Sequence, residues 1–344
     1  MNDASSARTT VQRPRRRLGL LLCLLAALIA MLAVRADLRR PAAAFVSARI
    51  AHLVYETAGL SPRTIYGWRL TIAGLGDSTL ARRWRAAPEQ ATPTRWRRQE
   101  RAHLTFAADT VSARVFVVRL ARGEALRWQL RRPSDDTPVL YATLEYRAEA
   151  ADTWQTLARL SADDQPHRRV IEHAGDYRFV FQPELLAAVR ADWAAAAGGS
   201  IPMPVKGARS RDIGGGFGVP RDGGARRHEG VDIFAGRGTP VVAVVDGRVS
   251  RRTGGLGGEA IFLSGGFGQP SYYYAHLDRF AVADGARVER GEVIGYVGNS
   301  GNAAGGPTHL HFGIYAGGGA IDPAAFIRPM PRLPALANRT TDNG

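Results

Sequence analysis

The segment Thr308-His309-Leu310-His311-Phe312-Gly313 constrains this chain more than any other. Two histidines at i and i+2 inside an apolar run point to one face of a β-strand, because side chains alternate along an extended backbone. About eighty residues upstream stands His228-Glu229-Gly230-Val231-Asp232, a second pair of potential metal ligands. Between them lies Tyr274-Ala275-His276-Leu277. Residues 201–344 contain four of the chain's eight histidines, and all four belong to these three segments. That concentration predicts a metal-dependent hydrolytic site. The one cysteine, Cys23, lies far upstream in an apolar leader, so any metal must be held by His, Asp or Glu.

Catalytic zinc takes three protein ligands and leaves a fourth position open to water. Two histidines and one carboxylate suffice for that, and the remaining imidazoles can move a proton or stabilise an oxyanion. Four histidines and an aspartate are more than a structural site needs. The surrounding segments Thr239–Val245, Gly247–Ser250, Glu259–Leu263, Tyr272–His276, Val288–Val297 and His309–Tyr315 read as short strands joined by glycine turns, with no long helical period. Gly214-Gly215-Gly216-Phe217-Gly218 is no phosphate loop, since no strand precedes it and Pro220 follows. It is expected to be a flexible approach to the site.

His228-x-x-x-Asp232, Ala275-His276-Leu277 and His309-Leu310-His311-Phe312 together resemble the three signatures of the lysostaphin-type, LytM-like zinc metallopeptidases. The spacing between them agrees, as do Gly230-Val231-Asp232-Ile233 and Val297-Gly298-Asn299-Ser300-Gly301 around them. The resemblance covers roughly residues 210–325. It implies one Zn2+ per chain, held by His228, Asp232 and His311, with His276 and His309 as the catalytic pair. One of that pair would be the general base and the other the oxyanion stabiliser, and the sequence does not decide which. It also implies peptidoglycan as substrate, through zinc-activated water attack on an amide of its peptide cross-links. Thr308 stands where many relatives have proline and Gly313 where many have glutamate; neither is a ligand position. The alternative is a catalytically silent wall-binding regulator, or an activator of cell-wall amidases, as some relatives that have lost ligands are.

The formal charge of +15 suggests nucleic acid until it is located. Residues 201–325 hold 13 basic and 11 acidic side chains, so the domain with the site is nearly neutral. The leader also disfavours nucleic acid as a partner. Arg13-Pro14-Arg15-Arg16-Arg17 precedes the uncharged run Leu18–Val34, which fits a signal peptide or a membrane anchor in residues 1–36. The protein is therefore expected to be exported and periplasmic, anchored in the inner membrane, or secreted if the leader is cleaved. The membrane, through the leader, and a cell-wall or division-complex protein that relieves occlusion are the further expected partners.

The fold class expected is mainly β, with an N-terminal membrane leader, a β-sandwich-like middle domain and a C-terminal all-β LytM-like peptidase domain. Residues 37–65 read as a helical stalk, 66–200 as the sandwich, 201–325 as the peptidase domain and 326–344 as a Pro-rich tail. Within the sandwich, Pro183–Ala197 reads as a helix and Gly198-Gly199-Ser200 as a closing linker. His52, His103, His167 and His173 are scattered and carry no constellation. Arg82-Arg83-Trp84-Arg85 and Arg95-Trp96-Arg97-Arg98 fit tryptophans packed in the sandwich with arginines around them, or sugar-, base- or membrane-stacking pairs.

Overall fold

The computed structural model describes residues 62–132, 139–163 and 165–336. The leader, most of the stalk, the turn at Pro133–Asp136 and His52 lie outside them. Among the described residues no helix is long and apolar enough to cross a membrane.

Two helices come first, α1 (Pro62–Ile72) and α2 (Thr79–Gln90). Ser78 caps α2 by accepting a hydrogen bond from the Ala81 amide at 3.1 Å. Nine strands follow: β1 (Thr94–Arg95), β2 (Gln99–Phe106), β3 (Arg114–Leu120), β4 (Glu124–Arg131), β5 (Leu140–Arg147), β6 (Gln155–Arg159), β7 (His167–Val170), β8 (Gly175–Pro183) and β9 (Val189–Gly199). They form two sheets, ordered β1-β3-β8-β5-β6 and β2-β9-β4-β7. Alternation explains the pairing of faces. Phe116, Val118 and Leu120 of β3 turn inward, while Ala191, Trp193, Ala195 and Ala197 of β9 meet them from the other sheet. Trp193 is fully buried, its ring centroid 4.4 Å from that of Phe116 and 5.0 Å from that of Phe179.

The helix expected over Pro183–Ala197 is instead the strand β9. Its alanines favour a helix in isolation, but β9 pairs along its length with both β2 and β4, and that tertiary context overrides propensity. Both helices instead fall mainly at the start of the stretch 66–200 expected to be sandwich. Trp84 of α2 is buried against Tyr66 and Tyr141, and its Nε1 donates to the Pro183 carbonyl at 2.8 Å. Trp96 joins the sandwich core. Both tryptophans are thus packing residues rather than exposed stacking platforms.

Twelve strands build the C-terminal domain: β10 (Ile213–Gly215), β11 (Pro220–Arg221), β12 (Arg226–Arg227), β13 (Val231–Phe234), β14 (Pro240–Val242), β15 (Gly247–Arg252), β16 (Glu259–Ser264), β17 (Ser271–Phe280), β18 (Arg287–Val288), β19 (Val293–Val297), β20 (His309–Ala316) and β21 (Gly319–Ile321). The main sheet runs β10-β13-β20-β17-β16-β15-β18, with β14 and β21 joined to its sides through β19 and β20. β11 and β12 make a separate hairpin. Val231, Ile233, Leu310, Phe312, Ile314, Tyr272 and Tyr274 fill the core beneath one face, which leaves Asp232, His309, His311 and Tyr273 on the other.

Gly198, Gly199 and Ser200 form no free linker. All three are buried, and the Gly199 amide donates to the Arg328 carbonyl at 2.7 Å. A Cβ on Gly199 would lie 2.1 Å from the Phe326 carbonyl oxygen, so only glycine allows this approach. The segment expected as a tail therefore returns to the sandwich. Arg328 reaches the buried Glu124 at 2.7 Å, and Arg101 reaches the Ala335 carbonyl at 3.3 Å. Phe326 and Ile327 also belong to the core of the C-terminal domain, so one segment touches both cores.

Candidate metal centre

β13 and β20 are antiparallel neighbours in which Asp232 stands opposite His311 and Phe234 opposite His309. This register places the carboxylate and both β20 imidazoles on one open face. His228 precedes β13, and the hydrogen bonds between its backbone and Gly218 and Val219 fix it there. The outcome is a close triad. His228 Nε2 lies 2.9 Å from Asp232 Oδ1 and 2.8 Å from His311 Nδ1, and that nitrogen lies 3.1 Å from the same Oδ1.

The donor set fits a cation. His228 Nδ1 donates to the Gly216 carbonyl at 2.7 Å, which leaves Nε2 of the neutral ring as a lone pair. That lone pair faces a carboxylate oxygen and a second imidazole nitrogen, an arrangement that repels unless a proton or metal ion sits among them. Among the described residues this is the group of His, Asp or Glu side chains able to hold a metal. Two nitrogens and one oxygen suit zinc and leave a coordination position open.

Electrostatics agree with the geometry. Burial opposes ionisation of Asp232, but with a proton held among the three groups in place of a metal, hydrogen bonds and charge from His228 and His311 outweigh it and hold the carboxyl well below the usual range. Burial pushes the His311 imidazole down, partly offset by Asp232. Arg221, on β11, donates to the outer oxygen Asp232 Oδ2 at 2.6 Å, so one oxygen is left for the triad. Gly215 makes room for this carboxylate; a Cβ there would lie 2.3 Å from Oδ2. The glycine stretch expected as a flexible approach is in part the strand β10, paired with β13, and supplies the carbonyl that orients His228.

His276 and His309 stand beside the triad with matching orientation. His276 Nδ1 donates to the Ser300 carbonyl at 2.8 Å, and His309 Nδ1 to the Pro307 carbonyl at 2.9 Å. Both therefore present Nε2, that of His309 3.8 Å from Asp232 Oδ1. Their ring centroids are 5.0 Å apart. Burial pushes the His276 imidazole down to about 4.

His276 reaches this face only through a break in alternation. Tyr274 points into the core, so regular alternation would send His276 there too. Between Leu277 and Tyr274 β17 carries one residue more than the β16 stretch Glu259–Ile261 it pairs with, and His276 takes φ 62°. This bulge, with a strained left-handed residue in it, turns the imidazole toward the metal ligands.

The scattered histidines are elsewhere. His103 pairs with Asp192 at 2.8 Å, and His167 pairs with Asp163 while stacking on Trp128. Sequence reasoning missed Arg221 and the orienting carbonyls of Gly216, Ser300 and Pro307, because no side-chain motif marks them.

Residues 226–323 match Peptidase family M23. The chain is 39% identical over 110 residues to the DD-carboxypeptidase/endopeptidase Mpg of Neisseria meningitidis serogroup B, covering 31% of this chain and 24% of that protein. It is 38% identical over 122 residues to the L-Ala--D-Glu endopeptidase of Bacillus subtilis, covering 32% and 37%. The chain thus spans only about a quarter to a third of the length of these relatives. Among solved structures, the catalytic domain of lysostaphin from Staphylococcus simulans is 32% identical over 34% of this chain and 93% of its own, with a TM-score of 0.29. The C-terminal domain of this chain belongs to peptidase family M23, of the lysostaphin and LytM type.

Proposed function

We propose that the protein is a zinc-dependent endopeptidase that hydrolyses peptide cross-links of peptidoglycan. One observation carries this reading: the His228–Asp232–His311 triad is flanked by two further imidazoles, His276 and His309, each held through Nδ1 by a main-chain carbonyl. His228, Asp232 and His311 would hold one Zn2+. Bound zinc supplies a Lewis acid that acidifies a water and polarises the amide carbonyl.

The chain's own groups do the rest. Of His276 and His309, one accepts the proton of the attacking water and the other donates a hydrogen bond to the oxyanion formed on the substrate carbonyl. The Ser300 and Pro307 carbonyls hold a proton on Nδ1 of both rings, so the ring that serves as base offers the Nε2 lone pair and the ring that donates to the oxyanion does so as an imidazolium, protonated on both nitrogens. Arg221 occupies the outer oxygen of Asp232 and leaves the carboxylate single-pronged toward the other two residues of the triad. Peptidoglycan as substrate draws support from the family and from relatives named as endopeptidases of D,D and L-Ala–D-Glu bonds. The leader's basic flank and apolar run support export, with the anchored enzyme in the periplasm.

The test is incubation of the full-length protein with purified peptidoglycan, with and without a chelator. New muropeptides that disappear with the chelator and return with added zinc are the expected result. An unchanged muropeptide profile from protein that carries stoichiometric zinc would overturn the enzymatic reading.

A further inference from the structure

Beyond the metal ligands, the open face of the sheet continues as an aromatic floor with one carboxylate at its rim. On β20 the residues facing outward after His311 are Gly313 and Tyr315, and Tyr273 on β17 stands opposite Gly313. Phe262 on β16 stands opposite Tyr273. The ring centroids of Phe262 and Tyr273 are 4.5 Å apart, those of Tyr273 and Tyr315 6.4 Å, and those of Tyr273 and His311 5.9 Å. The floor therefore begins beside a metal ligand and runs away from it across three strands.

Gly313 shapes this floor. A Cβ there would lie 3.0 Å from Tyr315 Cε2, so the absence of a side chain lets the Tyr315 ring fold back across the strand. Its hydroxyl donates to Glu229 Oε2 at 3.2 Å. Glu229 is exposed and accepts this one hydrogen bond, so its other oxygen faces solvent. All three aromatic rings are half-buried.

Half-open tyrosine and phenylalanine rings beside a free carboxylate suit one chemical class. An alkylammonium gains from both, since the ring faces attract a cation and the methylene stem lies on apolar surface. A carboxylate or phosphate would meet repulsion from Glu229, and a purely apolar side chain would leave Glu229 unused. We propose that Phe262, Tyr273, Tyr315 and Glu229 form a subsite for a primary alkylammonium side chain on the peptide substrate, one or two residues from the scissile bond. This rests on the endopeptidase reading above. Glu229 and Tyr315 are here specificity-determining residues rather than catalytic ones.

The probes are acetylated tetra-alanine amides in which one position at a time carries lysine, Nε-acetyl-lysine or norleucine. Two readouts are used with full-length, zinc-loaded protein: kcat/KM for cleavage, and binding to the His309→Ala variant by tyrosine fluorescence. At one position lysine should be preferred over Nε-acetyl-lysine and norleucine by about tenfold in either readout, the size of gain open to a partly desolvated cation–π contact. In Glu229→Gln that ratio should fall to within about twofold, and Tyr315→Phe, which frees the carboxylate, should reduce it less. A lysine preference absent at every position, or equally large in Glu229→Gln, overturns the subsite. If no peptide is cleaved but the Glu229-dependent preference persists in binding, the subsite stands, and the muropeptide assay with purified peptidoglycan separately decides the hydrolytic reading.

Discussion

The middle sandwich, apart from the short parallel β1–β3 pair, and the C-terminal sheet are both antiparallel and both close a core with alternating side chains, yet they treat their second faces differently. In the sandwich the inner faces meet each other, and the outer face of the larger sheet is covered in turn by α2 through Trp84 and Tyr141. In the C-terminal domain one face closes the apolar core and the other holds Asp232, His309, His311 and Tyr273 outside it. His228, Asp232 and His276 are nonetheless among the buried polar residues of the chain. Buried polar groups are destabilising unless paired, so this domain carries a cost that its hydrogen bonds to Gly216, Ser300 and Arg221 offset. Among the described residues the sandwich carries no comparable cluster of imidazoles, and its polar network, Arg178 with Glu145 and Glu89, ties α2 to the sheet.

The comparison can be broken at its strongest point first. Trp193→Ala removes the ring at the centre of the sandwich and should cost about 3–5 kcal/mol of stability, read from urea unfolding. A loss below about 1 kcal/mol would mean that the aromatic packing does not hold the sandwich.

The second effect separates the two domains by pH. In metal-free protein burial depresses the His276 pKa from 6.5 to about 4. Below about 6.5 the unfolded chain gains a proton that the folded chain refuses until about pH 4, so stability is greatest above that window and falls as the pH drops through it. The span corresponds to roughly 3 kcal/mol at most. Urea midpoints measured from pH 7 to pH 4.5 should show this slope, and His276→Asn, which tolerates the left-handed backbone, should flatten it. An unchanged slope in the variant would assign it to other groups.

A smaller effect concerns the metal alone. Arg221→Met frees the outer oxygen of Asp232 and should weaken zinc binding about 10- to 100-fold in a chelator competition, with the fold intact. Equal affinity would show that Arg221 serves only the hairpin.

Much of the site was legible because its signals are local. His309 and His311 share a face by strand alternation, and the His228–Asp232 spacing brings a ligand pair to the start of the neighbouring strand. What the motifs could not reveal depends on contacts distant in sequence or on irregular backbone. His276 faces the metal ligands because of a bulge and a φ of 62°, which alternation would not predict. Arg221 meets Asp232 across a hairpin, and the orienting groups on three imidazoles are main-chain carbonyls. The two-layer β architecture of the middle region was legible from its apolar runs and turns. β9 was not, because its alanines carry a helical propensity that pairing on both sides overrides. The return of residues 326–336 to the sandwich was hidden for a similar reason: prolines there read as an unpaired tail, while the partner is a glycine-bearing strand more than a hundred residues away.

The central claim is a division of labour between His311, which holds the metal, and His309, which acts with His276 on the attacking water and the oxyanion beside it. The direct measurement is the zinc content and peptidoglycan-cleaving rate of His309→Ala against the unsubstituted protein. The account predicts one zinc per chain in both, and a rate lower by about 10²–10⁴ in the variant. Loss of the zinc along with the rate would place His309 among the ligands and contradict it.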